Sequence, residues 1–339
     1  MRVHRLLSVV VASLLLPAGA LAQDHGIKIA AGDFGLGIGD VRRLDGLRLN
    51  FRDRDLELVR GINATIWTPY EDAEGVVKGL ALGLPLTGAG EIHGLALALG
   101  VGANRDFSGI GLAPIGIGAG GTLRGIAIGG VGAGTGGDAE GLLVGGVGVG
   151  AGGNVKGIVI GGVGAGAGGN VEGLVLGGVG GGAGGNVTGI AIGGIGVGAG
   201  GDVRGLMLGG VGVGAGGDLV GIAFGGIGVG AGRELRGLGI GGVGVGAPKI
   251  TGVVLSGIAA GAEDMHGFVL APAYFKIEEG GSLRGMSVSA VNRIRGTQRG
   301  LTIGIVNIAE ELHGLQLGVL NIARNKKSFS VLPIANYSK

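Results

Sequence analysis

Between residues 125 and 247 one 16-residue pattern of apolar and glycine positions is written eight times; residues 157–172 read GIVIGGVGAGAGGNVE and residues 173–188 read GLVLGGVGGGAGGNVT. The opening glycines are Gly125, Gly141, Gly157, Gly173, Gly189, Gly205, Gly221 and Gly237. Ile158 and Ile160 alternate as one face of a strand, whereas Val163, Ala165 and Ala167 alternate with the opposite parity. A bend at Gly161 and Gly162 would turn both sets into one core. A second bend is expected at Gly168, Gly169 and Asn170, where glycine accepts positive φ and the Asn side chain bonds its own backbone. Asp138, Asn154, Asn170, Asn186, Asp202 and Asp218 occupy that corner. The pattern predicts an all-β, glycine-rich repeat β-solenoid with about 16 residues per coil, each coil burying its apolar side chains by stacking on its neighbours.

With Ile158 and Ile160 inward, the residue between them points outward. That row comprises seven side chains, Ala127, Leu143, Val159, Val175, Ala191, Met207 and Ala223, and ends at Gly239, and at about 4.8 Å per rung it forms an apolar strip about 40 Å long. The same slot holds Thr302 and Gln316 near the C-terminus, so polar residues fit there. Exposed apolar strips mark contact surfaces. This row is therefore the candidate interaction surface.

The residues just before the opening glycines begin Arg124, Glu140, Lys156, Glu172, alternating in sign. Parallel stacking makes opposite charges neighbours. The alternative, a transmembrane β-barrel with one strand per repeat, would place them at opposite rims. Three features weigh against the barrel: Phe224 is the only aromatic between 125 and 247, the parity change breaks lipid-facing alternation, and the chain ends on Lys339.

The flanks divide the rest. Residues 1–22 read as a signal peptide, with Arg2 and Arg5 before an apolar run and Ala20, Leu21 and Ala22 as a small-residue cleavage pattern. Residues 23–60 read as an N-terminal polar cap in which Asp53, Asp55 and Glu57 share a solvated strand face. Residues 61–124 are degenerate repeats with an insertion after Trp67, residues 125–251 the regular array, and residues 252–339 repeats of varying length with a C-terminal cap. Insertions leave solenoids as loops from one corner, so Trp67 and Tyr70 in the first, and Tyr274 and Phe275 in a second at 271–280, are candidate binding-loop residues.

Composition narrows the class. There are 89 glycines and no cysteine, so neither a disulfide framework nor thiol chemistry is available. A mean hydropathy of +0.57 is too high for a disordered linker. Without the arginines of residues 1–22, basic residues fall from 26 to 24 and equal the 24 acids, which offers nucleic acid nothing. The many Gly-x-Gly-x-x-Gly matches lack the following helix that a phosphate-binding loop needs. Calcium β-roll repeats need a carboxylate where this array has glycine. His93, His266 and His313 belong to separate rungs and read as exposed corner residues. No catalytic, cofactor or metal set stands out.

Residues 300–307 (GLTIGIVN) and 314–321 (GLQLGVLN) resemble the tandem repeats of bacterial surface-repeat-containing proteins. The central array shares their periodicity, with Val or Ala in place of the family's Gln and Gly in place of its Asn. The resemblance implies export to the periplasm, outer membrane or cell surface, and brings no catalytic residue with it. The expected role is structural or interactive, without catalysis. Self-association or another envelope component is the expected partner, with membrane association a further option.

Overall fold

The computed structural model describes residues 25–69 and 73–339; the expected leader and Tyr70 lie outside them. Every regular element among the described residues is a β-strand. In the central array each coil supplies a long strand and a short one, such as Val155–Gly161 and Gly164–Ala167. Both pair in parallel with their counterparts one coil later: Val155 with Val171, Val159 with Val175, Ala165 with Gly181. The fold is thus the β-solenoid, and the parallel, two-strand coil is not the antiparallel barrel. Antiparallel pairing occurs at the two ends, where His25–Ala31 lies along Phe34–Asp40 and Val331–Ser338 closes on residues 314–322.

The alternating charges sit one rung apart, as parallel stacking requires. Arg124 Nε lies 3.2 Å from Glu140, and Lys156 Nζ lies 3.8 Å from Glu172. All four are exposed, so each pair adds at most a few tenths of a kcal/mol and mainly disfavours register slips.

Two details of the coil differ from expectation. Positive φ falls on the opening glycines inside the long strands, between +116° and +136° in the regular copies, rather than at the Asn corner. A Cβ at Gly157 would overlap the Gly141 carbonyl oxygen, so an L side chain there is excluded by both backbone angle and space. The Asn and Asp side chains, in turn, reach along the stack instead of to their own backbone. Asp138 accepts from the Asn154 N–H at 2.7 Å, Asn154 from Asn170 at 2.9 Å, and Asn170 from Asn186 at 2.8 Å. This row supplies acceptors for N–H groups that a tight corner would otherwise leave unpaired.

The interior also reverses the expected facing. Val155, Val159 and Ala165 are buried, with Val159 at 0% exposure, whereas Ile158 is 39% exposed and Val163 48%. Inward positions are odd-numbered through the whole coil, with Val163 turned out at the bend. The glycine pair therefore bends the chain without a parity change. The physical reason is width. Two sheets joined by such tight corners leave a thin interior filled mostly by Val, Ala and Gly, with larger residues such as Leu143, Met207 and Leu219 on some rungs, and most of the array's Ile and Leu side chains are left on the outside.

Candidate interaction surface

All seven residues of the expected outward strip are core: Ala127, Val159, Val175, Ala191, Met207 and Ala223 are fully buried and Leu143 is 1% exposed. They cannot form a contact surface. The polar residues that suggested an outward slot are interior as well. Thr302 and Gln316 are fully buried; the Gln298 amide donates to the Thr302 hydroxyl at 3.2 Å, and the Gln316 amide donates to Gln298 Oε1 at 3.0 Å. Beside them Asn292, Asn307 and Asn321 form a ladder in which each amide donates to the next side-chain oxygen, at 2.8 and 2.7 Å.

What faces solvent instead is a pair of aliphatic columns on the long-strand sheet, represented by Ile158 and Ile160. A third column, represented by Val163, runs along the adjoining corner. The backbone holds this corner column in register: the Val163 N–H donates to Val147 and the Val179 N–H to Val163, at 2.7 and 2.8 Å. The short-strand face is different. Its outward positions are glycines such as Gly164 and Gly166, and a Cβ at Gly164 would meet nothing within 4 Å. One side of the coil is thus covered in Ile, Leu and Val while the other is bare backbone.

The two expected binding loops fare differently. Trp67 is half-exposed and stacks on Phe51 with ring centroids 6.4 Å apart and planes 4° from parallel. Beyond it Thr68, Pro69 and Ala73 border an open cleft of about 350 Å³ on the short-strand side, also lined by Gly100 and Gly116. Tyr274 and Phe275, however, open the strand Tyr274–Val288, which pairs with Ala259–Leu270 and with Val291–Ala323. Phe275 is wholly buried beside Ala260, so it is a core residue and not a loop anchor.

The N-terminal acids do not share a solvated face. Asp53 is fully buried, paired with Arg48 and accepting from Asn63 at 3.1 Å and from the Thr65 hydroxyl at 2.7 Å. Asp55 and Glu57 lie near Arg42, at 3.9 and 4.0 Å. Among the described residues no group of three or more His, Cys, Asp or Glu side chains is arranged to hold a metal ion. Glu91 lies against His93 and Arg105, each at 3.1 Å; the His93 hydrogen bond first, and then Arg105, holds its carboxyl below the ordinary carboxylate range. Asp202 is held low by the hydrogen bond from the Asp218 N–H and then by the charge of Arg233. These are local ion pairs on exposed corners.

None of the family models, curated proteins or solved structures compared with the chain matches it. Among the described residues no helix is long and apolar enough to cross a membrane.

Proposed function

We propose that this chain is an exported bacterial cell-envelope or surface repeat protein with a structural or interaction role and no catalysis of its own. The observation that carries the reading is the outward aliphatic face. Ile158 and Ile160 lie outside a core residue, Val159, smaller than either, and aliphatic or Phe side chains fill the same outward positions rung after rung. A face of this kind gains by being covered, and covering surfaces is the work of a scaffold or adhesive element. The leader pattern of residues 1–22 and the resemblance of residues 300–321 to surface repeats support the address. The partner is another copy or another envelope component, and the balance of 24 basic and 24 acidic residues beyond residue 22 speaks against nucleic acid.

Cell fractionation combined with N-terminal sequencing tests this. The protein should be recovered from the envelope or exterior with its first residue at or near Gln23. Recovery from the cytoplasm with Met1 intact would overturn the reading.

A further inference from the structure

The outward aliphatic face has a shape that selects its occupant. From the rung that opens at Gly109 to the one at Gly237, nine rungs in all, each of the three outward slots holds Ile, Leu, Val or Phe without exception. Ile158, Ile160, Val163, Ile190, Ile195 and Phe224 are examples. The inward slot between the first two columns holds Gly, Ala or Val in seven of the nine rungs and Leu143 and Met207 in the other two, so in seven rungs the side chains are larger outside than in. A thin core accounts for the small side chains inside, but it does not call for large apolar ones outside, where polar residues would serve a single chain.

The geometry points to a second copy of this chain as the cover, packed sheet against sheet about a two-fold axis through the long-strand face. This rests on the proposal above only in taking the aliphatic columns as the working surface. Three observations favour a second copy over lipid. First, the side chains repeat at the rung spacing of about 4.8 Å, and another array of the same spacing meets them rung for rung, as in aligned β-sheet packing. Lipid has no such period to match. Second, the extent suits a dimer. Nine rungs by the long strand Val155–Gly161, which ends at the bend, is about 38 by 20 Å. That footprint of about 760 Å² is close to the roughly 800 Å² per partner of a standard interface. Third, the edge of the face is electrically closed. Its flanking charges have both signs, and Arg124 with Glu140 and Lys156 with Glu172 are already paired within the chain. A self-facing surface with no charge of its own meets no like-charge repulsion across a two-fold axis.

The test uses the purified protein without detergent, in sedimentation velocity across a concentration series. A dimer is expected, and Ile158→Lys with Ile190→Lys should weaken it at least about 100-fold by placing four buried cations in the interface. Because both side chains point outward, the melting curve of the dissociated variant should show a folded solenoid. Where the lysine variant fails to fold, Ile158→Thr with Ile190→Thr keeps β-branched residues in place and should still weaken the dimer. The absence of cysteine allows an independent reading: Leu174→Cys, at the middle rung, should be joined between copies by a short bismaleimide, and Gly164→Cys, on the bare face, should not. A wild-type monomer at tens of micromolar, cross-linking through Gly164→Cys instead, or a monomer that binds phosphatidylcholine vesicles through Ile158 and Ile190 would each overturn the inference. Fractionation reads the envelope proposal separately, so an envelope protein that stays monomeric sinks this inference and leaves the other standing.

Discussion

The central array and the C-terminal coils are built on one backbone and filled with opposite chemistry. At the third position of the repeat, counting the opening glycine as the first, residues 143, 159 and 175 are Leu, Val and Val, while residues 287, 302 and 316 are Ser, Thr and Gln, and all six are buried. Opening glycines of both regions share this backbone conformation, with φ +134° at Gly157 and at Gly300. A parallel coil therefore does not dictate an apolar interior. It dictates that whatever is inside must be satisfied along the stack. Aliphatic side chains do this by dispersion contact. Amides do it by a ladder, since a rung spacing of about 4.8 Å lets each Asn donate to the Asn above while accepting from the one below. The two solutions do not mix one residue at a time, because an isolated buried amide has neither kind of neighbour.

The sharpest way to break this contrast is to put a single amide into the apolar region. Val159→Asn should lose the burial of the valine and leave unpaired amide groups, for a cost of about 3 to 5 kcal/mol. Urea unfolding monitored by circular dichroism would measure it. Adding Val175→Asn on the next rung restores a ladder partner, so the double variant should be more stable than the sum of the singles predicts, by about 1 kcal/mol. Strict additivity would show that ladders do not form in this region.

The converse change should cost less. Asn307→Leu takes away the donor to Asn321 Oδ1 and leaves that atom buried, for a loss of about 2 to 3 kcal/mol. Asn292 keeps backbone acceptors at Ser289 and Ile303, at 3.2 and 3.0 Å, which limits the damage on that side. An unchanged unfolding midpoint would mean that the ladder contributes nothing.

The smallest effect belongs to the exposed corner row, which mixes Asp with Asn. The Asp202 carboxyl is held below its ordinary value by the Asp218 N–H and then by Arg233. A depressed carboxylate stabilises the fold above its unfolded-state pKa, and that contribution fades as pH falls through the lower folded-state value. Asp202→Asn keeps an oxygen acceptor for the Asp218 N–H, as Asn154 and Asn170 do for their neighbours. Stability near neutrality should change little, and the acid limb of the stability profile should become shallower. An acid limb identical to the parent's would remove Asp202 from the corner's pH response.

Much of the architecture was legible in the residues alone. A period of 16 with glycine pairs at fixed offsets implied the coil and its bends, and the order Arg124, Glu140, Lys156, Glu172 implied parallel neighbours. Which face of the long strand turned inward was not legible. Strand alternation reveals facing when one side is polar, and here both sides are apolar, so shifting the phase by one residue exchanges core and surface at no visible cost in hydropathy. Reading Ile158 and Ile160 as core followed from their alternation and from the polar Thr302 and Gln316 in the slot between. The structure decides otherwise, because the enclosed volume is filled mostly by the smaller set, with Leu143 and Met207 the larger exceptions in that slot. The buried amides compounded the ambiguity: Gln316 and Thr302 are polar yet interior, and only stacking shows where their hydrogen bonds go. The same limit applies to Asp53 and Phe275. The charge of the one suggested solvent and the insertion at 271–280 suggested a loop for the other, but partners 10 or more residues away, Asn63 and Thr65 for Asp53 and Ala260 for Phe275, bury both. Period, bends and strand order are local properties of the chain, whereas facing depends on the volume enclosed when coils stack, and that volume exists only in the folded molecule.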